Sequence, residues 1–291
     1  MMLTKEQIIA LAQESLDESR LNNFSAIGYP KEKIWAGLDA GFAAGDDPLF
    51  AFCRRDIGDF YWSPAEAFRQ IYPESRAGDS DLTVLSLCFY MAAPIKKEQN
   101  EQKDRPGLRW GYARNSWEPL IQDFSRRLTD KLSISGLRAA AVDLAPDLAW
   151  QESPKYGKAA NWSQRHTAYI AGLGTFGLCD GLIGRHGKAA RYTSVILETV
   201  LEPDKRPYKH YTDWCLFYQN GSCGVCRQVC PAGAIGEQGH DKDKCSAYLL
   251  KICEDFDHPA LTPRRSSWCG LCQGRVPCQN GIPEGIPNDV R

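Results

Sequence analysis

The stretch Cys223-Gly-Val-Cys226-Arg-Gln-Val-Cys230-Pro231 decides how the rest of the sequence is interpreted. Two cysteines stand two residues apart, a third follows after three more residues, and a proline comes directly behind it. A tight loop of this kind lets neighbouring sulfurs converge on one metal centre, and the proline prevents a helix from carrying the third sulfur away. This spacing is typical of [4Fe–4S] ligation, in which the cysteine before proline binds a second cluster.

The overall composition indicates a cytoplasmic protein with a substantial core. The chain has 291 residues and a formal net charge of −1, enough length for one large or two ordinary domains. Balanced charge provides no basic field for nucleic acid or membranes. The first residues form an amphipathic, charged pattern rather than a signal peptide, and no later stretch resembles a membrane span. We therefore expect no membrane partner, and we regard nucleic acid as a disfavoured one.

The cysteines are concentrated late in the chain. There are 12 of them, and a reducing cytoplasm argues against disulfides. Cys53, Cys88 and Cys179 are scattered and are expected to be small core residues, whereas the others fall between residues 215 and 278. This distribution predicts a separate domain at 1–205, which would hold the substrate, and a metal domain at 206–291.

Hydrophobic patterns in the first part predict helices and strands in alternation. We expect strands in the apolar runs 82–91, 137–144 and 191–201 and helices over 116–132 and 164–171. Residues 24–48 and 96–106 are expected to form loops, the first with a short helix. The alternation predicts an α+β or α/β fold, with a mixed-sheet cofactor-binding domain, flanking helices and a small ferredoxin-like double-cluster domain behind it.

The segment Gly172-Leu-Gly174-Thr-Phe-Gly177 has the GxGxxG spacing of dinucleotide-binding turns. That motif requires a strand before the first glycine and a helix opening within it. Here Ser163 resembles a helix N-cap and the helix precedes the glycines, so we reject the nicotinamide interpretation. The glycines are expected to permit a tight turn where backbone approaches a cofactor or another element.

The late cysteines can supply two clusters. Two [4Fe–4S] centres need eight thiolates, and the usual run would begin at position 220, which is Asn220, so the upstream candidate is Cys215. Crossing of ligands between the two halves predicts Cys215, Cys223, Cys226 and Cys278 around one cluster, and Cys230, Cys245, Cys269 and Cys272 around the other. Cys253 is then surplus, or exchanges roles with Cys245. A zinc ribbon would leave five thiols unexplained. A single cluster remains the alternative if Cys215 or Cys278 does not ligate.

Four segments between about residues 138 and 278 resemble those of epoxyqueuosine reductases and, more distantly, corrinoid reductive dehalogenases. They are Ala141-Val-Asp-Leu-Ala-Pro146, Ala171-Gly-Leu-Gly-Thr-Phe-Gly177, Cys230-Pro-Ala-Gly-Ala-Ile235 and Cys245-Ser-Ala-Tyr-Leu249. The resemblance implies cobalamin, two [4Fe–4S] clusters and Asp143 as the proton donor. The chain departs from the group by an insertion at about 150–162, by the longer Cys272–Cys278 spacing and by having no helical-repeat tail. We therefore regard it as a short member whose substrate is open.

These features predict a cobalamin- and iron–sulfur-dependent reductase. Asp143 ends a predicted strand, and burial there would raise its pKa enough to hold a proton. Arg165 and His166, together with the three glycines of the turn, are expected to contact the cofactor. The predicted partners are a low-potential donor such as a flavodoxin or ferredoxin and a small-molecule or nucleoside substrate. The alternatives are an electron-transfer protein that reduces a partner's corrinoid or metal centre, and a zinc-stabilised RNA-binding module.

Overall fold

The computed structural model describes residues 3–255, 258, 260, 261 and 269–291. Its α-helices are α1 (Lys5–Asp17), α2 (Pro48–Ile57), α3 (Pro64–Arg69), α4 (Ala93–Asn100), α5 (Leu108–Asn115), α6 (Trp117–Ile134), α7 (Gln164–Ile170), α8 (Leu216–Asn220), α9 (Val225–Gln228) and α10 (Lys242–Asp255). Its strands are β1 (Trp35–Ala44), β2 (Thr83–Met91), β3 (Ala139–Ala141), β4 (Trp150–Ser153), β5 (Gly157–Ala160), β6 (Gly174–Phe176), β7 (Leu182–Gly184), β8 (Ala190–Leu197), β9 (Ile235–Gly236) and β10 (Gly239–His240). In the described part of the chain, no helix is both long and apolar enough to cross a bilayer.

The central sheet has the order β1-β2-β8-β3, and every neighbouring pair is antiparallel. The prediction of a mixed sheet is therefore wrong for the described strands. The physical reason lies in β8, the last of these strands along the chain. β2 and β3 run in the same direction and are joined through α4, α5 and α6, as the alternation predicted, but β8 inserts between them with the opposite direction. The broader expectation of a mixed α and β fold is confirmed.

Helices cover both faces of this sheet. On one face α1 and α6 bury an apolar stripe that includes Ile8, Leu16 and Phe124 against β2 and β8. On the other face α2, α3 and α7 pack with Phe50 and Ile170 against the same two strands. The burial on both sides explains why β2 and β8 read as continuous apolar runs in the sequence.

Strand β1 lies in the stretch expected to be a loop, so that prediction is wrong. Its sequence contains Gly37 and Gly41, which weaken any strand signal. Packing requires glycine at position 41, where a Cβ would lie 2.2 Å from the Ala171 carbonyl oxygen, and a Cβ on Gly37 would lie 2.3 Å from the Tyr90 hydroxyl and displace that side chain. The strand is thus specified by close tertiary contact rather than by local propensity.

The predicted loop at 96–106 is also partly wrong, because α4 extends to Asn100. Pro94 occupies the first turn of that helix, a position where its missing N–H costs nothing. On the same helix, Gln99 is fully buried, donates to the Cys269 carbonyl at 2.8 Å and accepts from the Gly107 N–H at 2.9 Å. This charged segment therefore anchors part of the cysteine-rich region. The insertion at 150–162 holds the hairpin β4–β5.

The cysteine-rich segment packs directly on the sheet domain. The Lys188 N–H donates to the Cys278 carbonyl at 2.9 Å, and the Trp214 N–H donates to the Thr175 hydroxyl at 2.8 Å. A Cβ on Gly270 would lie 2.1 Å from the Trp110 ring, so the last CxxC turn rests against α5. The thiols are consequently held at fixed positions relative to the sheet.

Candidate functional site

Four thiols of the first predicted set line one cavity. Its walls include the side chains of Cys215, Cys223, Cys226 and Cys278. Cys215 stands at the N-cap of α8, Cys226 lies within the short helix α9, and Gly224 separates that helix from Cys223. The left-handed glycine at position 221 ends α8 and turns the chain back towards α9. Residues far apart in sequence thereby face a common space.

Members of the second predicted set are neighbours of one another. Burial raises the pKa of Cys269 to about 12, and Cys245 and Cys230 are its next electrostatic neighbours. Cys272 is close to Cys269 in turn. Cys245 lies in the first turn of α10, and its N–H donates to the Asp241 carbonyl at 3.1 Å. The side chain of Cys253, the predicted surplus thiol, lies outside the described residues.

The thiols do not converge as they would on a single ion. Among the described residues, no three His, Cys, Asp or Glu side chains are close enough to share one metal. A [4Fe–4S] centre instead spreads its four thiolates around a polynuclear core. Each thiol must lose its proton to bind iron, so the pKa values that burial raises at Cys269 and Cys278 couple ligation to proton release.

A fifth thiol, Cys179, enters this region from the loop between β6 and β7. It is 5% exposed, and the Lys188 ammonium donates to its Sγ at 3.1 Å. Hydrogen bonds with the side chains of Cys226 and Cys272 hold the pKa of Cys179 well below its ordinary value despite burial, and the Lys188 charge adds to this effect. Cys179 is buried, as expected of a core thiol, but its hydrogen bond with Lys188 is not a feature of an ordinary core thiol. No sequence pattern singles out Lys188.

Asp143 lies in the turn that follows β3, beside Thr193 of β8. The Gln164 amide nitrogen donates to its Oδ2 at 3.1 Å, and the Thr193 hydroxyl donates to the same oxygen. Burial raises the pKa of Asp143 to about 6, although both hydrogen bonds act in the opposite direction. Within the described part of the chain, both hydrogen bonds to the carboxyl reach Oδ2 and none reaches Oδ1.

A chain of hydrogen bonds fixes the orientation of the Gln164 side-chain amide, which donates to Asp143. The Trp162 indole donates to the Ser194 hydroxyl at 2.9 Å, and that hydroxyl donates to the Gln164 amide oxygen at 2.7 Å. The Gln164 amide can therefore present only its nitrogen to the carboxyl. Gln164, Thr193 and Ser194 were missed from the sequence, because they become neighbours only when α7 packs on β8.

Comparison with known proteins identifies relatives. No protein-family model matches the chain. Epoxyqueuosine reductases of Bacillus anthracis and Bacillus cereus are each 26% identical over 200 residues, which cover 67% of this chain and 48% of theirs. The chain thus spans about half the length of the curated relatives it matches.

Solved structures share the fold. The epoxyqueuosine reductase of Streptococcus thermophilus superposes with a TM-score of 0.51 at 19% identity, covering 99% of this chain and 70% of that one. An epoxyqueuosine reductase with an epoxyqueuosine-modified tRNA-Tyr stem loop gives 0.51 at 15% identity, covering 98% and 68%. The chain is similar to the epoxyqueuosine reductases in sequence and in fold. This finding confirms the resemblance inferred from the sequence.

The glycine turn follows helix α7, in agreement with the rejection of a dinucleotide motif. Gly172 has a φ of +84° and lines a cleft of about 380 Å³, with Arg185 and Lys205 among the other lining residues. A Cβ on Gly174 would lie 2.4 Å from the Ile183 carbonyl oxygen across the β6–β7 pair. A Cβ on Gly177 would lie 3.3 Å from the Ile183 side chain. Gly174 therefore permits close packing between β6 and β7, and cofactor binding by the three glycines stays a prediction.

Arg165 and His166 make internal contacts on α7. The Arg165 guanidinium donates to the Asp180 carbonyl, while His166 Nδ1 lies 2.7 Å from the Ser163 hydroxyl and its ring packs on Phe176. Burial, together with the nearby Arg165 charge, lowers the pKa of His166 to about 4, so the imidazole is neutral at neutral pH. A role of either residue in cofactor binding stays a prediction.

Proposed function

We propose that this protein is an iron–sulfur- and corrinoid-dependent reductase, in which two [4Fe–4S] clusters supply electrons for the reduction of an electrophilic substrate. The observation that carries the proposal is the convergence of Cys215, Cys223, Cys226 and Cys278 on one cavity. These four residues were grouped from spacing alone, and they come from three separate segments of the chain. Kinship with epoxyqueuosine reductases supports the same conclusion.

The donor chemistry of both thiol sets fits iron–sulfur clusters. Cysteine thiolates are the usual ligands of [4Fe–4S] centres, and the cavity is lined mainly by apolar side chains such as Leu178 and Ile183. Such surroundings exclude water from a cluster and influence its potential. Cys230, Cys245, Cys269 and Cys272 would hold the second centre in the same way.

The proposal of a corrinoid cofactor is supported by a different observation, the cleft beside the glycine turn. The cleft beside Gly172 carries Arg185 and Lys205, which suit phosphate groups, and the carboxylates Asp39 and Asp204, which can accept hydrogen bonds from the amide groups of such a cofactor. When bound, such a cofactor supplies a strongly reducing cobalt centre, and clusters supply it with single electrons. The residues around the cleft would bind and orient it.

Asp143 is the proposed proton donor. Its pKa near 6 keeps a substantial protonated fraction close to neutral pH, which suits general acid catalysis. Gln164 and Thr193 fix Oδ2 and leave Oδ1 to deliver the proton. One solved epoxyqueuosine reductase of Bacillus subtilis has a catalytic aspartate loop swung out of its active site. Asp143 likewise lies on a loop, directly after β3.

The similar proteins suggest two classes of substrate. One relative holds a modified tRNA stem loop, which makes a nucleoside in RNA a candidate alongside a small molecule. The nearly neutral charge of this chain argues for few phosphate contacts. A flavodoxin or ferredoxin would supply electrons at low potential.

The proposal is tested by reconstituting anaerobic protein with iron, sulfide and hydroxocobalamin, followed by gel filtration and metal analysis. We expect cobalt to co-elute with the protein and, after one-electron reduction of its Co(III) with a chemical reductant such as dithionite, to give an EPR spectrum of base-off Co(II). Protein that retains both clusters but no cobalt would contradict the corrinoid assignment and favour an electron-transfer protein. Protein that holds only zinc, with no acid-labile sulfide, would contradict the redox function altogether.

A further inference from the structure

Lys188 is a buried cation without a carboxylate partner. It follows the turn after β7, is 3% exposed, and places its Nζ 3.1 Å from Cys179 Sγ and 3.2 Å from the Cys272 carbonyl oxygen. Among the described residues, no Asp or Glu forms an ion pair with it. An ammonium group removed from water is costly unless negative charge lies close by.

The groups able to provide that charge are thiols. The sulfurs that interact electrostatically with Lys188 are those of Cys179, Cys278, Cys272 and Cys226. Cys226 and Cys278 belong to the first proposed cluster, whereas Cys272 belongs to the second. Lys188 also lines the cavity of the first thiol set, and its ammonium donates to the Cys272 carbonyl of the second, so it contacts the surroundings of both proposed clusters.

The backbone at Gly181 leaves room for the Lys188 side chain. A Cβ on Gly181 would lie 3.0 Å from Lys188 Cδ and 3.4 Å from Cys179 Sγ, so only glycine leaves the space free. The Lys188 main-chain N–H is fixed by the Cys278 carbonyl at 2.9 Å. The side chain is thus held at both ends.

We propose that Lys188 is the fixed countercharge shared by the two iron–sulfur clusters, and that Cys179 positions its ammonium rather than binding iron. The inference rests on the proposed clusters and adds a residue that controls their potential. Reduction adds negative charge to a cluster, and a nearby buried cation stabilises the reduced form more than the oxidised form. Charge and hydrogen bonds around the sulfurs are established determinants of cluster potential. Lys188 therefore makes both clusters easier to reduce.

The test is a redox titration of reconstituted holoprotein, monitored by EPR, with iron and sulfide measured on the same samples. Lys188→Met removes the charge and keeps the aliphatic stem, while Lys188→Arg is the matched control that keeps the charge. We expect both midpoint potentials to become more negative in Lys188→Met and to stay near wild type in Lys188→Arg. Unchanged potentials in Lys188→Met with full cluster content would overturn the proposal.

Cys179 variants keep the proposal testable if Lys188→Met does not assemble clusters. Cys179→Ala leaves the lysine in place but removes the group that positions its ammonium, and should also lower the potentials. Cys179→Ser retains a hydrogen-bond acceptor and should hold about eight iron atoms, as two intact clusters require. A fall to about four would show that Cys179 ligates iron and would overturn its positioning role. Iron and sulfide content reports on the clusters themselves, so failure of the proposed function is distinguished from failure of this inference.

Discussion

The protonation of Asp143 can be measured directly. Burial raises its pKa from the ordinary value of 3.8 to about 6. We expect a protonated-carboxyl C=O band in infrared difference spectra of wild type minus Asp143→Asn, and this band should disappear as the pH rises through about 6. A band already absent at pH 5, or a midpoint near 4, would refute the assignment of Asp143 as an acid near neutral pH.

The same ionisation costs folding energy. Because the folded state holds the proton more tightly than the unfolded state, this cost is absent below pH 4, grows as the pH rises, and is complete above about pH 6. At about 1.4 kcal/mol per pH unit, the full cost is about 3 kcal/mol. Asp143→Asn keeps an oxygen for both hydrogen bonds and escapes this cost. Its thermal midpoint should therefore exceed that of wild type at pH 8, with a smaller gain at pH 5.

Thr193 provides a matched perturbation of the same carboxyl. Its hydroxyl donates to Oδ2 and thereby favours the ionised form. Thr193→Val preserves the shape and removes the donor, so the infrared midpoint should rise above that of wild type. Thr193→Ser keeps the donor and should leave the midpoint unchanged. A lower midpoint in Thr193→Val would contradict the hydrogen-bond argument.

Three further predictions concern ligation and packing. Cys278→Ala should reduce iron by about half, since one of two clusters loses a ligand, whereas Cys53→Ala should keep wild-type iron by colorimetric assay. Gly174→Ala should lower the thermal midpoint because its methyl group would lie 2.4 Å from a backbone oxygen, whereas Gly78→Ala, with its nearest neighbour at 3.6 Å, should not. Gln99→Ala leaves a buried carbonyl and an N–H unpaired and should destabilise the protein by about 1–3 kcal/mol by thermal scanning. Unchanged iron or unchanged midpoints would contradict these arguments.

The elements that could be predicted from sequence are those with a local signal. Helix α6 and strands β2 and β8 carry long apolar patterns and form close to where the patterns place them. Strand β1 could not be predicted, because its glycines make room for the Ala171 backbone and the Tyr90 side chain, which are distant in sequence. The antiparallel order of the sheet was equally hidden, since only tertiary folding inserts β8 between β2 and β3.

The residues of the candidate site also divide into those with a local sequence signal and those without one. The spacing of Cys223, Cys226 and Cys230 is a local signal with direct chemical meaning. The resemblance to a known family brought out Asp143. Gln164 and Lys188 gave no such signal, because a single amide or lysine acquires a role only through neighbours distant in sequence.

The most direct test of the central claim is the iron and acid-labile sulfide content of anaerobically reconstituted protein. Two [4Fe–4S] clusters require about eight iron and about eight sulfide per chain. The account predicts these values together with the EPR signals of reduced [4Fe–4S] clusters. A colourless protein that binds one zinc ion and no sulfide would contradict it.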